Sequence, residues 1–399
     1  MLRHLFKLIW NKKGSHSLLI VEIWASFMVL FGVLSLIVFN ISNYLEPIGF
    51  EYENVWVLDL NNNQDTTATR EKTEKIMQLI RSYPQVESAS RMSSNTPFSA
   101  NTMNNSISYN KISTMADEYR SDEQLSSTLN LPMLAGRWYK PEDRVSRYTP
   151  VVINKKLQDK LFGDENPLGK VLGERDPLAK NTATESEREL YRVVGVVDKF
   201  KAKGEYMSDE PALFAQIAKD NSWDKQVLIK TKSGTDAAFE AQLVKDITAM
   251  VPGWGAEVSY MTESRTNRHN LTLVPVIIFL IISGFLLTNV ALGLFGILNL
   301  NISRRKSEIG LRRAMGATEL GVTTQFLGEM WVLATFSLLI GLIFAVQFPL
   351  LNVFDLASGV YITAIIAAVL IIFAIVTLCA WYPSKQAARI HPALALHEE

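Results

Sequence analysis

Cysteine is almost missing from this sequence of 399 residues, in which Cys379 is the only one. A single cysteine excludes a disulfide framework and a cysteine-rich metal site. A net charge is missing as well, because 40 Lys and Arg residues balance 40 Asp and Glu residues. A chain without a basic excess is not expected to bind nucleic acid by bulk electrostatic attraction.

Enzyme signatures are also lacking. The sequence has no G-x-S-x-G, H-E-x-x-H, C-x-x-C or aspartate-rich calcium loop, and its five histidines are scattered. The 163–171 segment resembles a phosphate-binding loop, but five residues separate its two glycines and Val171 replaces the hydroxyl that binds magnesium. We therefore predict a non-catalytic chain that has no catalytic residue, no cofactor site and no metal ligands of its own.

Long runs without any charged residue are present, in contrast, at four places. Each is longer than the roughly 20 residues that a helix needs to cross a bilayer. The first run ends in polar residues such as Asn40 rather than in a small-residue cleavage site, which predicts an uncleaved anchor and not a signal peptide. The charge-free runs are 23–45, 271–303, 330–354 and 356–384, and the transmembrane helices that they predict are 18–42, 271–302, 325–349 and 360–382.

Lysine and arginine near these runs predict the orientation of the chain, because they concentrate on the cytoplasmic side of a membrane. They occur in the amphipathic N-terminal segment 1–17, in the 303–324 loop and in the 383–399 tail, whereas the 350–359 loop has no base. Both termini are therefore predicted to be cytoplasmic, and the large 43–270 segment is predicted to lie outside.

The second run is too long for a simple crossing. As a helix it would extend about 50 Å, whereas the hydrocarbon core of a bilayer is about 30 Å thick. Pro275 near its outer end allows either a kink or a new helical start. We predict a helical stalk that continues out of the membrane.

Two parts of the outer segment, 46–104 and 223–265, share a strand–helix–strand pattern. The shared pattern predicts a βαβ pseudo-repeat in a small ferredoxin-like α/β sandwich, and coincidence between two common units is the alternative. The 105–222 segment between them is predicted to be an inserted subdomain. Within it, 148–163 has the pattern of a strand and a helix, 189–200 that of a buried strand, and 174–188 that of an exposed loop.

The most informative segment is S-R-R-K-S-E-I-G-L-R-R-A-M-G-A-T at 303–318. It predicts a short helix that Gly316 ends, after which Thr318 caps the next helix. Such a basic loop binds either anionic lipid or a partner protein, and Glu308 with the Gly-Ala-Thr turn favours a partner. Two acids at the membrane boundary, Glu22 and Glu329, either pair with the loop arginines or are solvated there, and solvation is the preferred interpretation.

The 303–318 segment and Q-F-L-G-E at 325–329 together resemble the signature of MacB/FtsX-type ABC transporter permeases. N-P-L-G-K at 166–170 and R-V-V-G-V-V at 192–197 are similar to stretches of the MacB periplasmic core domain, and the 382–396 tail resembles the closing segment of the family. The resemblance extends along nearly the whole chain. It implies an α-helical inner-membrane protein with four transmembrane helices and a large periplasmic α+β domain, made of a porter-like part and a Sabre-like insert.

The resemblance also implies an assembly. Two cytoplasmic ATPases would dock on a permease dimer, with the 303–316 helix as the coupling helix. Because only 17 residues precede the first predicted span, whereas MacB carries its ATPase at its own N-terminus, we expect a separate ATPase that binds ATP and magnesium. This leaves a homodimer and a heterodimer with a homologous permease equally open. The residues assigned to ATPase coupling are Arg304, Arg305, Lys306, Glu308, Ile309, Arg312, Arg313, Met315, Gly316, Ala317 and Thr318.

The implied function is mechanical. ATP-driven movement would pass through the membrane to the periplasmic domain for tripartite efflux of a peptide, toxin or amphiphile, with a membrane-fusion protein and an outer-membrane channel as further partners. A lipoprotein-releasing permease of the LolC/LolE kind and an FtsX-like regulator of a cell-wall hydrolase are alternatives with the same mechanics. An ATP-independent membrane receptor is an alternative of a different class.

Overall fold

The computed structural model describes residues 13–173, 190–218, 225–351 and 353–388. The chain divides into two compact units. We call Asn43–Thr272 the α/β unit, and Met1–Ser42 with Leu273–Glu399 the helical unit. The predicted exposed loop at 174–188, most of the N-terminal segment and the end of the tail lie outside the described residues.

Ten helices and eleven strands are found in the described part of the chain. The helices are α1 (Lys13–Tyr44), α2 (Thr69–Ser82), α3 (Leu125–Thr128), α4 (Lys155–Leu161), α5 (Ala237–Met250), α6 (Met261–Arg304), α7 (Lys306–Ala314), α8 (Glu319–Ala345), α9 (Gln347–Leu350) and α10 (Ser358–Ala388). The strands are β1 (Val55–Asn61), β2 (Val86–Met92), β3 (Asn104–Tyr109), β4 (Ile112–Ser121), β5 (Met133–Gly136), β6 (Thr149–Asn154), β7 (Val171–Leu172), β8 (Tyr191–Val197), β9 (Ala212–Gln216), β10 (Gln226–Thr231) and β11 (Gly255–Tyr260). Short 3₁₀ turns lie at Pro141–Val145 and Val353–Asp355.

Four helices within these ranges are long and apolar enough to cross a membrane: α1, α6, α8 with α9, and α10. All four extend beyond the predicted spans, and two of them contain a proline. Helix α6 begins at Met261, directly after β11, and continues through Pro275 over 44 residues, which corresponds to about 66 Å. Of the two alternatives at Pro275, a new helical start is therefore wrong. Helix α10 continues past the predicted residue 382 to Ala388, with Pro383 inside it.

The helical unit packs around a core of apolar side chains spaced three or four residues apart. On α1 these include Ile23, Phe27 and Phe31, all buried. Helix α8 approaches α1 through Gly341, where an added Cβ would lie 2.4 Å from Cδ1 of Phe27. Because Gly341 has no side chain, α8 leaves room at this point for the ring of Phe27.

The α/β unit has an eleven-stranded sheet among its described residues. Both predicted strand–helix–strand segments are present, as β1–α2–β2 and β10–α5–β11. Their strands lie in the order β11–β1–β10–β2, and every neighbouring pair is antiparallel. This is the arrangement of a β-α-β-β-α-β unit. That the two halves are copies of one repeat stays a prediction.

Both faces of this part of the sheet are buried, because successive side chains of a strand point to opposite faces. Trp56 and Leu58 of β1 belong to the core beneath α2 and α5. Val55 and Val57 belong to a second core on the other face, together with Tyr119 and Phe214 from the predicted insert. The 105–222 segment therefore shares a core with the rest of the unit.

The predicted insert also continues the same sheet, in the order β2–β4–β9–β6–β8–β5. Strand β4 pairs in parallel with β9, and β6 pairs in parallel with β8, whereas the other neighbouring pairs are antiparallel. Pairing between parallel strands that are distant in sequence produces no periodic pattern in the sequence. The sequence therefore predicts a separate subdomain but not the sheet that it shares with the rest of the unit.

Within the strand order of the sheet, β2 and β4 are the neighbours joined by the fewest residue pairs. A single residue pair, Met92 and Ser121, joins the two strands, with main-chain bonds from Ser93 N to Arg120 O (2.8 Å) and from Asp122 N to Arg91 O (3.2 Å). The buried carboxylate of Asp122 reinforces this junction. It accepts hydrogen bonds from Ser90 Oγ (2.6 Å), Arg91 N (3.1 Å) and Arg81 Nη2 (3.0 Å).

The β8–β9 loop contains Asp209, whose burial predicts that the stability of the chain depends on pH. Burial raises the pKa of Asp209 to about 6, against hydrogen bonds from Phe200 N and Asn154 Nδ2 that lower it. Between the usual pKa of an aspartate, near 4, and about 6, the folded state binds more protons than the unfolded state, so stability rises as the pH falls through this window. We expect Asp209→Asn to stabilise the chain by about 1–3 kcal/mol at pH 7 and to have little effect at pH 4.

Thermal unfolding of the full chain in detergent at several pH values measures this difference. Asp143→Asn is the matched control with the opposite sign, because a hydrogen bond from Arg137 holds the pKa of Asp143 below its usual value. That variant should lose stability at pH 7 relative to the parent chain. Equal effects of Asp209→Asn at pH 4 and pH 7 would contradict the assigned titration.

Candidate functional site

The residues predicted to couple to an ATPase extend from Arg304, the last residue of α6, to Thr318, directly before α8. Helix α6 ends at Arg304 and α7 begins at Lys306, so a single residue, Arg305, separates the two helices. Arg305 has φ −110° and ψ 16°, outside the helical range, and its N–H donates to Ile302 O at 3.1 Å. The chain therefore changes direction at one residue while its main-chain hydrogen bonding continues.

The predicted end of α7 and start of α8 are confirmed. Gly316 has φ +96°, a conformation that glycine adopts readily. Its N–H donates to Arg313 O (3.1 Å) and that of Ala317 donates to Arg312 O (3.0 Å), which is the pair of bonds in a Schellman motif. Thr318 Oγ1 then accepts from Gly321 N at 3.1 Å and caps α8.

Arg305 and Arg312 contact α8, and Arg312 also contacts its own helix. Arg305 Nη1 donates to both carboxylate oxygens of Glu329, at 3.0 and 3.3 Å. Arg312 donates to Gln325 Oε1 and to Glu308 Oε1, both at 2.6 Å. Because these bonds join α7 to α8, they fix the short helix in place.

Glu329 therefore pairs with a loop arginine, and its preferred interpretation as a solvated acid is wrong. Arg313 has a comparable role, since its Nη1 donates to Ala317 O at 2.9 Å and its Nη2 lies 3.5 Å from Glu319. Glu22 differs from Glu329, because among the residues that the structure describes none forms an ion pair with it. Its carboxylate lies against Gly293 of α6, where an added Cβ would come within 3.0 Å of Glu22 Oε2.

Ile309 points inward, contrary to its prediction as part of a coupling surface. It is only 4% exposed and belongs to the core of the helical unit together with Val322 and Phe326 of α8. One apolar side chain among basic neighbours is thus the buried anchor of α7. The sequence pattern gives the two faces of such a helix but not which of them meets the rest of the protein.

The exposed surface of α7 and the following turn includes three large apolar side chains. Met315 is 73% exposed, and Leu311 and Leu320, which the sequence analysis omitted, are 51% and 70% exposed. We call these three residues the apolar tip. Leu311 could have been found from its position two residues after Ile309, which places it on the opposite side of a helix. The remaining predicted residues Arg304, Gly316 and Thr318 are also exposed, whereas Lys306 and Ala317 are half-buried.

No cluster of three or more metal-ligating side chains occurs in the part of the chain that the structure describes. One described histidine, His269, hydrogen-bonds Glu205 in the α/β unit. Around α7, Arg305, Arg312 and Arg313 are held by hydrogen bonds within the protein, whereas the apolar tip is exposed.

Comparison with models of protein families shows which family the chain belongs to. The sequence model of the MacB-like periplasmic core domain matches residues 23–246, more than half of the chain, and that of the FtsX-like permease C-terminal domain matches residues 280–392. The chain belongs to the MacB/FtsX family of ABC transporter permeases. The resemblance seen in the 303–318 motif is thereby confirmed.

Among curated proteins, the permease is 25% identical over 306 residues to the macrolide export ATP-binding/permease protein MacB of Neisseria meningitidis serogroup A. It is 25% identical over 298 residues to the pyoverdine export ATP-binding/permease protein PvdT of Pseudomonas syringae pv. tomato. These alignments cover 73% and 70% of the permease but 45% and 42% of the relatives. The permease thus spans less than half the length of the curated relatives that it matches.

Among solved structures, the permease is similar to the periplasmic region of MacB from Actinobacillus actinomycetemcomitans, with a TM-score of 0.39 and 14% sequence identity. That similarity covers 57% of the permease and 98% of the other chain.

Proposed function

We propose that this permease transmits the movement of a separate ABC ATPase through the membrane to its α/β unit. In this proposal it has no catalytic residue or cofactor of its own, and the ATPase partner binds ATP and magnesium. Both termini and α7 lie in the cytoplasm of a cell with an inner membrane, and the α/β unit lies in the periplasm. The concentration of Lys and Arg next to α1 and in the 304–313 segment supports this orientation.

The observation that carries the proposal is the apolar tip. Apolar side chains that a protein fixes in place and leaves uncovered mark a site of interaction. The Arg305–Glu329 and Arg312–Gln325 bonds fix α7 on α8, so the tip presents a rigid surface to a partner. A lipid anchor would instead present its arginines outward, whereas here three of them are bonded within the protein.

Helix α6 provides the mechanical connection in this proposal. It is a single helix of 44 residues from Met261 to Arg304, and Arg305 alone separates it from α7. A helix resists compression and bending because successive turns are hydrogen-bonded to one another, although Pro275 supplies no N–H for one of these bonds in α6. Displacement of α7 by a docked ATPase would therefore move α6 along its length rather than be absorbed in a flexible linker.

The assembly proposed is a dimer with two ATPases, formed either by two copies of this chain or with a homologous permease. The α/β unit would act as a porter-like repeat with a Sabre-like insert. Export of a peptide, toxin or amphiphile is the first candidate function, and the export proteins among the relatives favour it. A membrane-fusion protein and an outer-membrane channel would complete that pathway.

Two other uses of the same mechanics remain candidates, namely release of lipoproteins in the manner of LolC/LolE and control of a cell-wall hydrolase in the manner of FtsX. The match of the MacB-like periplasmic core domain favours export or release over hydrolase control. Purification of the cross-linked complex distinguishes the three, because each predicts a different periplasmic partner: a membrane-fusion protein, a lipoprotein carrier or a hydrolase.

Substitution within the apolar tip tests the ATPase interaction. We expect the double variant Leu311→Glu/Met315→Glu to lose at least tenfold in affinity for the ATPase, because two apolar side chains in an interface core are replaced by charges. The measurement is co-purification from native membranes, with mass spectrometry for a protein that carries nucleotide-binding motifs, followed by titration of that purified ATPase.

Ile112→Glu is the matched control, since Ile112 is 50% exposed on the β3–β4 hairpin and Leu311 is 51% exposed on α7. The control should bind the ATPase as the parent chain does. Undiminished binding by the double variant would refute the docking site, and failure of the parent chain to bind any ATPase would favour the ATP-independent receptor.

A further inference from the structure

The loop between β8 and β9 contacts both helices through which the chain enters and leaves the α/β unit. Helix α1 ends at Tyr44 and α6 begins at Met261, so Asn43 and Tyr44, together with the first turns of α6, belong to the same compact unit as the loop. We call residues 199–206 of this loop the joint. Lys199 and Lys201 contact the α1 side, Glu205 contacts the α6 side, and Tyr206 contacts both.

On the α1 side, the central contact is made by Lys201, whose side chain is almost completely buried. Its Nζ donates to the main-chain oxygen of Asn43 at 2.6 Å and to that of Glu205 at 2.7 Å. Asn43 lies in the last turn of α1, where carbonyl groups have no partner within the helix and the helix dipole favours a cation. The buried ammonium group therefore caps the end of α1.

Further bonds hold the chain that follows α1 against the joint. Lys199 Nζ lies 2.8 Å from Glu46 Oε2, and Lys201 N donates to Ile48 O at 3.0 Å. Gly49, with φ +89°, approaches so closely that an added Cβ would lie 1.9 Å from Lys199 O. Asn43 Nδ2 also donates to Tyr206 O at 3.1 Å.

On the α6 side, the central contact is made by Glu205, which is 7% exposed. Its carboxylate bonds Arg265 Nε through one oxygen and His269 Nε2, at 2.5 Å, through the other. Arg265 also lies over the ring of Tyr52, 4.7 Å from its centre. Arg265 and His269 are four residues apart and share one face of α6, so both bonds fix the same side of that helix.

Tyr206 lies between the two helices. Its ring stacks on Tyr44 of α1, with centroids 5.2 Å apart, and meets His269 of α6 edge to face at 5.0 Å. Phe200 attaches the joint to the core of the α/β unit, because its ring contacts Phe50, Tyr119 and Phe214. The joint thus contacts both helix ends and is anchored in the core of the unit.

The chemistry of these contacts favours positioning over stability. Burial lowers the pKa of Lys201, because removal from water disfavours the charged ammonium group. Burial also acts to raise the pKa of Glu205, but the bonds from His269 and Arg265 outweigh it and hold that pKa below its usual value. Apolar side chains would attach a loop at a lower desolvation cost, whereas buried charges fix the direction and register of what they bond.

We propose that the joint couples the end of α1 to the start of α6, with Lys201 and Glu205 as the residues that position these two helix ends within the α/β unit. Movement of either helix would then be transmitted to the other and to the core of the α/β unit through residues 199–206. The inference rests on the proposed function for the origin of that movement, but the coupling itself is a property of the chain alone.

Hydrogen exchange of the full chain in detergent tests the coupling without an ATPase. Glu205→Gln weakens the bonds with α6 and keeps the main-chain oxygen that Lys201 bonds, whereas Lys201→Met removes the two bonds of the ammonium group, to Asn43 O and Glu205 O. We expect each variant to speed exchange about tenfold in both 43–49 and 261–269, because a hydrogen bond to a charged group is lost in a coupled segment. Faster exchange confined to the side of the substitution would overturn the proposal.

Two further variants keep the test decisive. His269→Gln weakens one of the two bonds to Glu205, since only a neutral amide can replace the imidazole, and it should give the same pattern to a smaller extent, so it replaces either main variant that fails to fold. Asp143→Asn breaks the Arg137–Asp143 pair, with contacts of 2.6 and 2.7 Å elsewhere in the α/β unit, and should leave exchange at both helix ends unaltered.

A second arm adds the purified ATPase and a non-hydrolysable ATP analogue. Exchange at 199–206 should then change in the parent chain and should not change in Glu205→Gln, although that variant still binds the ATPase. A parent chain that binds no ATPase would refute the proposed function and leave the first arm to decide the joint. A parent chain that responds to ATP, with one-sided effects in the first arm, would refute the joint and leave the proposed function intact.

Discussion

Gly49→Ala is expected to lower the free energy of unfolding of the α/β unit by about 3–5 kcal/mol, a shift of roughly 10 °C in its melting temperature. The new Cβ would lie 1.9 Å from the main-chain oxygen of Lys199, so the backbone itself must move. That movement separates Lys201 N from Ile48 O, which are 3.0 Å apart. The left-handed conformation of Gly49, with φ +89°, adds about 1–2 kcal/mol for alanine.

Gly253→Ala isolates the steric part of this effect. Gly253 has nearly the same φ, +92°, but no atom lies within 4 Å of its added Cβ. Gly253→Ala should lose only the stability that the left-handed conformation costs an alanine. The difference between the two variants in thermal unfolding of the full chain therefore measures the destabilisation caused by the clash with Lys199. Equal losses in the two variants would mean that residues 46–49 are free to move away from the joint.

Gly341→Ala is expected to destabilise the helical unit by about 1–3 kcal/mol, the usual cost of excess volume in a packed core. Its Cβ would lie 2.4 Å and 2.8 Å from two atoms of the Phe27 ring. Phe27 is fully buried and its ring is 6.5 Å from that of Phe31, so the surrounding core restricts its movement. Thermal unfolding in detergent, followed by loss of the monodisperse peak in size-exclusion chromatography, measures the change.

The same substitution elsewhere on α8 should have the opposite sign. Gly328 lies inside this helix with no atom within 4 Å of an added Cβ, so Gly328→Ala is expected to stabilise the chain by up to about 1 kcal/mol through helix propensity. The pair Gly341→Ala/Phe27→Leu should recover part of the lost stability, because a smaller side chain leaves room for the new methyl group. A double variant less stable than the sum of its single changes would contradict the proposed contact.

Local signals in the sequence predicted local structure well. Gly316 and Thr318 mark the end of α7 and the start of α8 because a left-handed residue and a side-chain cap each depend on a few neighbouring atoms. The strands and helices of the two strand–helix–strand segments follow from periodicity for the same reason. The charge-free runs predict four long apolar helices, since a run of this length has few other uses.

Features that depend on contacts between distant residues were predicted poorly. The orientation of Arg305 and Arg312 toward α8 depends on partners at residues 329 and 325, and a basic loop has the same composition whichever way its side chains point. The common sheet depends on pairing between β4 and β9, which are far apart in sequence. Lys201 and Glu205 gave no signal, because single charged residues in a polar stretch look solvated until their partners are known.

The small number of bonds between β2 and β4 makes this part of the fold sensitive to substitution of a single side chain. A ladder of main-chain bonds tolerates almost any substitution, because every residue other than proline supplies the same amide and carbonyl. Here two main-chain bonds and the three accepted by Asp122 join the two parts of the sheet. A substitution of Asp122 would therefore remove the three side-chain bonds and leave two main-chain bonds between the two parts of the sheet, at a point where unpaired strand edges are open to other pairing.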